Sequence, residues 1–375
     1  MRIAVNTRFL LSHKMEGYGW YTFEIVKRLV QNHPEHQFIF FFDRKFDPKF
    51  IFGGNVTPVV LNPPARHPIL FYIWNEIAVT RALKKYKADI YFSPDGYLSL
   101  KTKVKQVNII HDINFEHNPQ DVPSAIRKYL CKYFPQFAQK ANHIITVSDY
   151  SKQDICKSYS VPEEKVTAIW NAASTVFKPV DEQQRSVIQT NYSNDKPYFL
   201  FVGALHPRKN LSRLVPAFEQ FKKQNPNDEH QLLIVGEALF SNSFGAINIS
   251  DTLKDDIHFT GHLSIEDLAL VMASAAVFTF VPYFEGFGIP MVEAMQSGTP
   301  VLAGNLTSLP EVGGDAVLYC DPMNIEDIAA KLSLIANNEK LKAELTKKGL
   351  ERSLLFSWDK SAEKVWELLM NVSKK

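Results

Sequence analysis

The run Phe38-Ile39-Phe40-Phe41-Phe42 offers no polar face to water. Successive side chains of a strand point to opposite sides, so this segment needs apolar cover on both. Shorter apolar runs of strand length recur at 2–7, 56–61, 90–92, 106–110 and 143–147. Stretches with helical spacing lie among them: 18–31, with Tyr21, Ile25 and Leu29 in register, then 73–86 and 124–140. Ser148 stands just before a further helix at 149–158, where its hydroxyl can cap the first turn. Buried strands alternating with helices imply parallel βαβ units.

The alternation stops after Asn171 and then begins again. Residues 181–196 are polar and proline-bounded, which reads as a linker. Strands follow at 198–203, 231–235, 257–259, 277–281, 300–303 and 316–320, with helices at 211–223, 265–274 and 290–297. Three helical patterns close the chain at 325–336, 339–354 and 358–370. A single core stops growing near 250–300 residues or so, and this chain has 375. The expectation is therefore α/β: two doubly wound domains, 1–180 and 197–356, with ligands at the carboxyl ends of strands.

The formal net charge of +2 conceals a split. Residues 1–180 hold 24 Lys+Arg and 15 Asp+Glu, or +9; the rest hold 42 − 24 = 18 and 40 − 15 = 25, or −7. Such a division suggests halves that meet different partners. Cys131, Cys156 and Cys320 form neither a disulfide framework nor a metal knuckle, which fits a reducing compartment. Arg2 and Arg8 interrupt any signal-peptide core, and the longest uncharged run, 268–284, is short for a membrane span. A cytoplasmic protein is expected.

Chemistry concentrates in two stretches of the second half. Phe284-Glu285-Gly286-Phe287-Gly288-Ile289-Pro290-Met291-Val292-Glu293 follows the strand 277–281. Gly286 and Gly288 permit unusual backbone angles and close approach of a ligand, and Pro290 suits the first helical position. The amide-rich end of that helix can hold a phosphate, while Glu285 and Glu293 address different parts of one ligand. Upstream, Gly203-Ala204-Leu205-His206-Pro207-Arg208-Lys209-Asn210 closes a strand with a cation pair: a planar fork and a compact charge, suited to a diphosphate.

These motifs together, Glu285-x7-Glu293 in a Gly-Phe-Gly-x-Pro setting with Gly203 and Pro207-Arg208-Lys209-Asn210 before it, resemble the retaining glycosyltransferases of family 4. Gly298-Thr299-Pro300-Val301 and Ser308-Leu309-Pro310-Glu311-Val312 resemble that family's continuation of the donor site. The resemblance implies the GT-B architecture of two facing Rossmann-like domains, a nucleotide-sugar donor in the carboxy-terminal domain, and a last helix, 357–375, packing back on the amino-terminal one. It implies that Arg208 and Lys209 hold the diphosphate beside Gly203, Gly286, Phe287, Gly288 and Ile289, that Glu293 takes the ribose, and that Glu285 lies against the sugar. Glu16-Gly17-Tyr18-Gly19-Trp20-Tyr21 resembles the family's glycine-rich loop, of which Gly17 and Gly19 carry over; Trp20 departs from the pattern. His111-Asp112 resembles the pair beside the reaction centre.

The implied activity is transfer of a hexose, mannose first, from GDP-mannose or a UDP-sugar to a glycan or lipid-linked acceptor in cell-surface polysaccharide or lipopolysaccharide assembly. No metal cluster and no separate cofactor are read from the sequence, since the cations can neutralise the diphosphate. A dinucleotide oxidoreductase would need a third glycine at position 22, which is Thr22. A non-catalytic sugar-binding module would need neither the cation pair nor paired glutamates. Lys84, Lys85, Lys87, Lys101, Lys103 and Lys105 near Phe71, Tyr72, Ile73 and Trp74 suggest contact with an anionic membrane, not with nucleic acid.

Overall fold

The computed structural model describes residues 1–12, 15, 17–237 and 249–374. The chain divides into two units, Met1–Asn171 with Trp358–Lys375, and Ala172–Ser357.

The first unit runs β1 (Arg2–Asn6), α1 (Gly17–Asn32), β2 (Gln37–Phe42), β3 (Val56–Val60), α2 (Pro68–Ile73), α3 (Thr80–Lys85), β4 (Ile90–Ser93) and β5 (Lys105–Ile109). It continues with α4 (Asn114–His117), α5 (Ser124–Lys140), β6 (His143–Thr146), α6 (Asp149–Tyr159) and β7 (Val166–Ala168). Among the described residues the strands form one sheet in the order β3-β2-β1-β4-β5-β6-β7. Every neighbouring pair is parallel. All five residues of the apolar run are buried, as a strand covered on both faces requires. Ser148 caps α6, its hydroxyl accepting the Ser151 amide at 3.1 Å.

The second unit runs α7 (Glu182–Ser193), β8 (Tyr198–Val202), α8 (Leu211–Gln224), β9 (Gln231–Val235), β10 (Ile257–Gly261), α9 (Ile265–Ser274) and β11 (Val277–Phe280). Then come α10 (Ile289–Gln296), β12 (Val301–Gly304), α11 (Leu309–Gly313), β13 (Leu318–Cys320), α12 (Ile325–Ala336) and α13 (Glu339–Ser353). Its described strands form a second parallel sheet, β10-β9-β8-β11-β12-β13. Both sheets therefore reverse their winding at one point, between β1 and β4 and between β8 and β11. Loops at the carboxyl ends of those strands splay apart there, which makes room for a ligand.

The last helix, α14 (Trp358–Lys374), belongs to the first unit. Val365 and Leu369 are fully buried, each contributing roughly 2 kcal/mol. Trp366 stacks on His33 at 3.6 Å, and the Ser361 hydroxyl donates to the Trp170 carbonyl at 2.6 Å. Arg28 reaches Asp359 at 2.5 Å, but Asp359 is 82% exposed, so that pair is worth about 0–1 kcal/mol. Apolar burial, not the ion pair, holds the helix.

Two expectations need correction. The segment read as a linker is mostly α7, and the division falls after Asn171 rather than near residue 180. Asp181 and Gln184 form a reciprocal cap: the Asp181 carboxylate accepts the Gln184 backbone amide at 2.8 Å, and the Gln184 side-chain Oε1 accepts the Asp181 backbone amide at 3.4 Å. Ile188 is buried while Val187 is 54% exposed, so the helix has too thin an apolar face to show in the sequence. The helix read at 73–86 begins at Pro68 and contains a π-segment, Trp74–Val79. Trp74, Asn75 and Glu76 are all buried, yet an α-helix spreads three consecutive residues over about 200°. The wider turn lets Glu76 face inward, where it accepts the Leu100 and Lys101 amides at 2.9 and 3.1 Å.

Candidate functional site

In the second unit, β8 ends at Val202 and the chain turns at Gly203, φ +151°. Gly236 leaves β9 in a similar conformation, and a Cβ there would lie 2.0 Å from the Gly203 carbonyl oxygen. The two loops touch backbone to backbone, so a side chain at Gly236 would force them apart. Asn210 adopts φ +67°; its amide donates to the carbonyls of Val281 and Pro322 at 2.9 and 2.7 Å. That brace fixes the start of α8 to the loops after β11 and β13. Just before it, a single turn at Pro207–Lys209 presents the two cations.

Lys209 is buried, its stem against Gly203 and its Nζ 5.0 Å from the Phe280 ring centre. The ammonium donates to Glu285 Oε2 at 2.8 Å, and the Arg208 guanidinium donates to the same oxygen at 3.3 Å. Burial works to raise the Glu285 pKa, but the Arg208 and Lys209 charges outweigh it and hold the carboxyl below its ordinary range. The backbone is clamped too: the Glu285 amide donates to Thr307 Oγ1 at 3.2 Å, and its carbonyl accepts the Ser308 hydroxyl at 2.8 Å. Thr307 sits at φ +56°, a conformation that strains a β-branched residue.

Gly288 (φ +97°) caps α10, and a Cβ on it would lie 2.8 Å from Leu309 Cδ2. Gly286 and Phe287 are buried beside it; Phe287 meets Phe356 edge-on at 5.7 Å. Ile289 opens the helix, and one turn on stands Glu293, half-buried. Its carboxyl makes no hydrogen bond or ion pair with any described residue, and burial pushes its pKa up to about 8. Two cations, one neutralised carboxylate, a free carboxyl and a helix amino terminus thus meet at the switch point between β8 and β11. This arrangement can bind a polyanion that also carries hydroxyls.

The first unit builds a different constellation. His111 follows β5; its Nε2 lies 2.9 Å from the Pro94 carbonyl. Burial lowers its pKa, against the Pro94 hydrogen bond and the pull of Asp112 and Asp95, which favours the neutral ring. Tyr18 and Tyr21, both on α1, lie 4.7 and 4.9 Å from its centre. A cavity of about 100 Å³ opens here, lined by Phe9, Tyr18, Asp95, Tyr97, His111 and Asp112 among others. Arg8 and Asp95 form a buried ion pair at 2.6 Å, with side-chain exposures of 4% and 2%. Asn6 and Ser93 also donate to Asp95, each at 2.8 Å, and the guanidinium stands 4.0 Å from the Tyr97 ring centre.

Of the predicted site residues, Gly203, Arg208, Lys209, Glu285, Gly286, Phe287, Gly288, Ile289 and Glu293 gather in the second unit. Gly17, Gly19 and His111 fall in the first. Gly17 begins α1 with nothing near its would-be Cβ, whereas a Cβ on Gly19 would lie 2.7 Å from the Phe9 carbonyl oxygen. Glu16, in the same motif, lies outside the described residues. Sequence reasoning missed Thr307, Gly236, Arg8 and Asp95. Arg8 and Asp95 had a usable signal, since both follow strands at a switch point; Thr307 had none, because its role depends on a contact 22 residues away.

Known proteins align with this organisation. Residues 15–176 match Glycosyltransferase Family 4, and residues 182–352 match Glycosyl transferases group 1. The chain is 29% identical over 365 residues to the O-antigen chain mannosyltransferase B of Escherichia coli, covering 93% of this chain and 94% of that protein. It is 28% identical over 276 residues to the O-antigen chain mannosyltransferase RfbU of Salmonella typhimurium, covering 73% and 72%. A solved structure of Anabaena Alr3699/HepE in complex with UDP-glucose aligns with a TM-score of 0.77 at 17% identity, covering 99% of this chain and 100% of that one.

Proposed function

Given that the chain belongs to the family 4, group 1 glycosyltransferases, we propose that it moves a mannosyl unit from a nucleotide diphosphate sugar to a hydroxyl of a glycan or lipid-linked acceptor in O-antigen-type polysaccharide synthesis. The two mannosyltransferase relatives support the sugar and the polysaccharide. The observation that carries the site is the convergence of Lys209 and Arg208 on Glu285, in the loop that leads into α10, with the partnerless Glu293 in that helix's first turns.

Each group then has a task. The diphosphate takes the charge of Arg208 and Lys209 and the amide end of α10, so the leaving group is stabilised by fixed positive charge without a metal ion. The free Glu293 carboxyl takes the ribose hydroxyls. The C1–oxygen bond to the diphosphate breaks, the acceptor oxygen bonds to C1 on the same face, and the acceptor's proton passes to the departing phosphate oxygen. Retention by this front-face route suits Glu285 poorly as a nucleophile, because two cations already hold its negative charge. A sugar adduct on Glu285, trapped with a fluorinated donor, would overturn that route.

His111, neutral and fixed, serves the acceptor side in the first unit. Lys84, Lys85, Lys87, Lys101 and Lys103 are exposed there, with Ile69 65% exposed nearby on α2. This basic surface supports peripheral contact with anionic lipid. Trp74 takes no part, being fully buried, while Phe71 and Tyr72 pack partly against the core and Lys105 is tied to the Ser373 carbonyl. No described helix is long and apolar enough to cross a membrane.

The test is nucleotide diphosphate release from GDP-mannose and from UDP-glucose, with and without a lipid-linked glycan acceptor. Acceptor-dependent turnover of GDP-mannose is the expected result. Turnover of UDP-glucose alone would overturn the mannosyl assignment, and no release from either would overturn the donor site.

A further inference from the structure

His111 is gripped on three sides. A carbonyl only accepts, so the 2.9 Å contact with Pro94 places the hydrogen on Nε2 and leaves Nδ1 as the bare acceptor. Tyr18 lies tilted over the ring at 4.7 Å and is 40% exposed. Tyr21 meets it edge-on, at 4.9 Å and 90°, and is fully buried. The Tyr21 hydroxyl has no hydrogen-bond partner. What the fold uses at this position is therefore the ring and not the phenol. Behind Tyr21 stands Trp358, the first residue of α14, at 5.8 Å and 77°. The buried Val365 and Leu369 hold that helix in place. Contact thus runs unbroken from the last helix, through Tyr21, to the imidazole.

We infer that Tyr21, backed by Trp358, is a positioning residue that keeps the His111 imidazole in one plane and one tautomer, with Nδ1 the nitrogen offered to the acceptor. The inference rests on the reading of His111 as the acceptor-side group. Turning the ring over would put Cε1 where Nε2 now stands and forfeit the hydrogen bond to the Pro94 carbonyl, and moving the proton to Nδ1 without turning would set a bare Nε2 against that carbonyl, acceptor to acceptor. Rotation about the ring axis is opposed by Tyr21, which is itself fully buried and packed edge-on against Trp358. Among the described residues, the titratable and charged groups around the imidazole are the carboxylates of Asp95 and Asp112, with Arg8 paired to Asp95, and the phenols of Tyr18, Tyr21 and Tyr97.

The experiment uses the full chain labelled with ¹⁵N-histidine, as parent, Tyr21→Leu, Tyr21→Phe, Trp358→Leu and His111→Ala. The parent should show His111 as a single neutral tautomer with hydrogen on Nε2. Tyr21→Leu should lower kcat about ten- to a hundredfold with the donor KM unchanged, and its spectrum should show mixed tautomers. Tyr21→Phe should restore both readouts, and Trp358→Leu should move both in the direction of Tyr21→Leu by less. Full kcat and an unmixed spectrum in Tyr21→Leu, beside an inactive His111→Ala, would overturn the clamp alone. Full kcat in His111→Ala would remove the histidine from the reaction and overturn both readings. If Tyr21→Leu does not fold, the parent spectrum and Trp358→Leu decide: hydrogen on Nδ1, or an unaltered Trp358→Leu, overturns the inference.

Discussion

The two units share the order of six described strands and a switch point, yet they furnish those points with opposite chemistry. Between β8 and β11 the second unit gathers separate charges, two cations on one carboxylate, with a further carboxyl left bare. Between β1 and β4 the first unit spends its charge internally, in the buried Arg8–Asp95 pair, and presents a neutral histidine among aromatic rings. One sheet topology determines where a site lies, and the side chains at the strand ends determine whether it suits a diphosphate or a neutral hydroxyl.

If that contrast is right, its largest mark should be on stability in the first unit. Arg8→Ala strands the Asp95 carboxylate in a site 2% exposed and should destabilise the fold by about 3–5 kcal/mol, measured by denaturant unfolding. A loss below 1 kcal/mol would mean that the pair is solvated and the contrast false. In the second unit the same kind of change should act on rate. Lys209→Ala should lower kcat by about 10²–10³ with little change in Tm, because the departing diphosphate loses a fixed charge. Unaltered turnover would remove Lys209 from the site.

Glu293 sharpens the comparison through pH. Its folded pKa is raised to about 8, so above the ordinary carboxyl range the folded state keeps a proton that the unfolded chain has released. Stability from this group is therefore lost as pH rises from the ordinary carboxyl range through about 8. Glu293→Gln should raise Tm by several degrees at pH 8, leave it unchanged near pH 4, and weaken donor binding at both. A Tm that falls equally at both values would contradict a buried, partnerless carboxyl. The smallest effect should come from the rim of α14. Arg28 also pairs with Glu24, so Asp359→Asn is the change that removes only the rim pair, whose carboxylate is 82% exposed, and it should cost less than about 1 kcal/mol by denaturant unfolding.

Much of the second unit's site was legible because its parts are contiguous. Glycines, proline and glutamates within ten residues announce a tight turn and a helix start, and the chain runs in that order, from the end of β11 through Gly288 at a positive φ into α10. The thin-faced α7 was not legible, since one buried Ile188 in two exposed turns carries no periodic signal. Nor was the π-segment, because the inward turn of Glu76 answers to backbone amides 24 and 25 residues away. The aromatic stretch around Trp74 looked like surface and is core for the same reason.

Sequence alone settled the class of the fold, two parallel α/β units, because the period of apolar residues is a local property that each strand and helix must satisfy by itself. It also picked out the cation pair at 208 and 209 and the glycine at 288, since each stands in a short motif whose residue types can be read together. Tertiary structure decided the rest. That Lys209 and Arg208 meet Glu285, 76 and 77 positions later, that Thr307 and Ser308 clamp its backbone, and that Trp358 packs on the tyrosine beside His111 all depend on elements distant in the chain. Such pairings are selected by packing and by the cost of leaving buried polar groups unpaired, and neither is a property of any one segment.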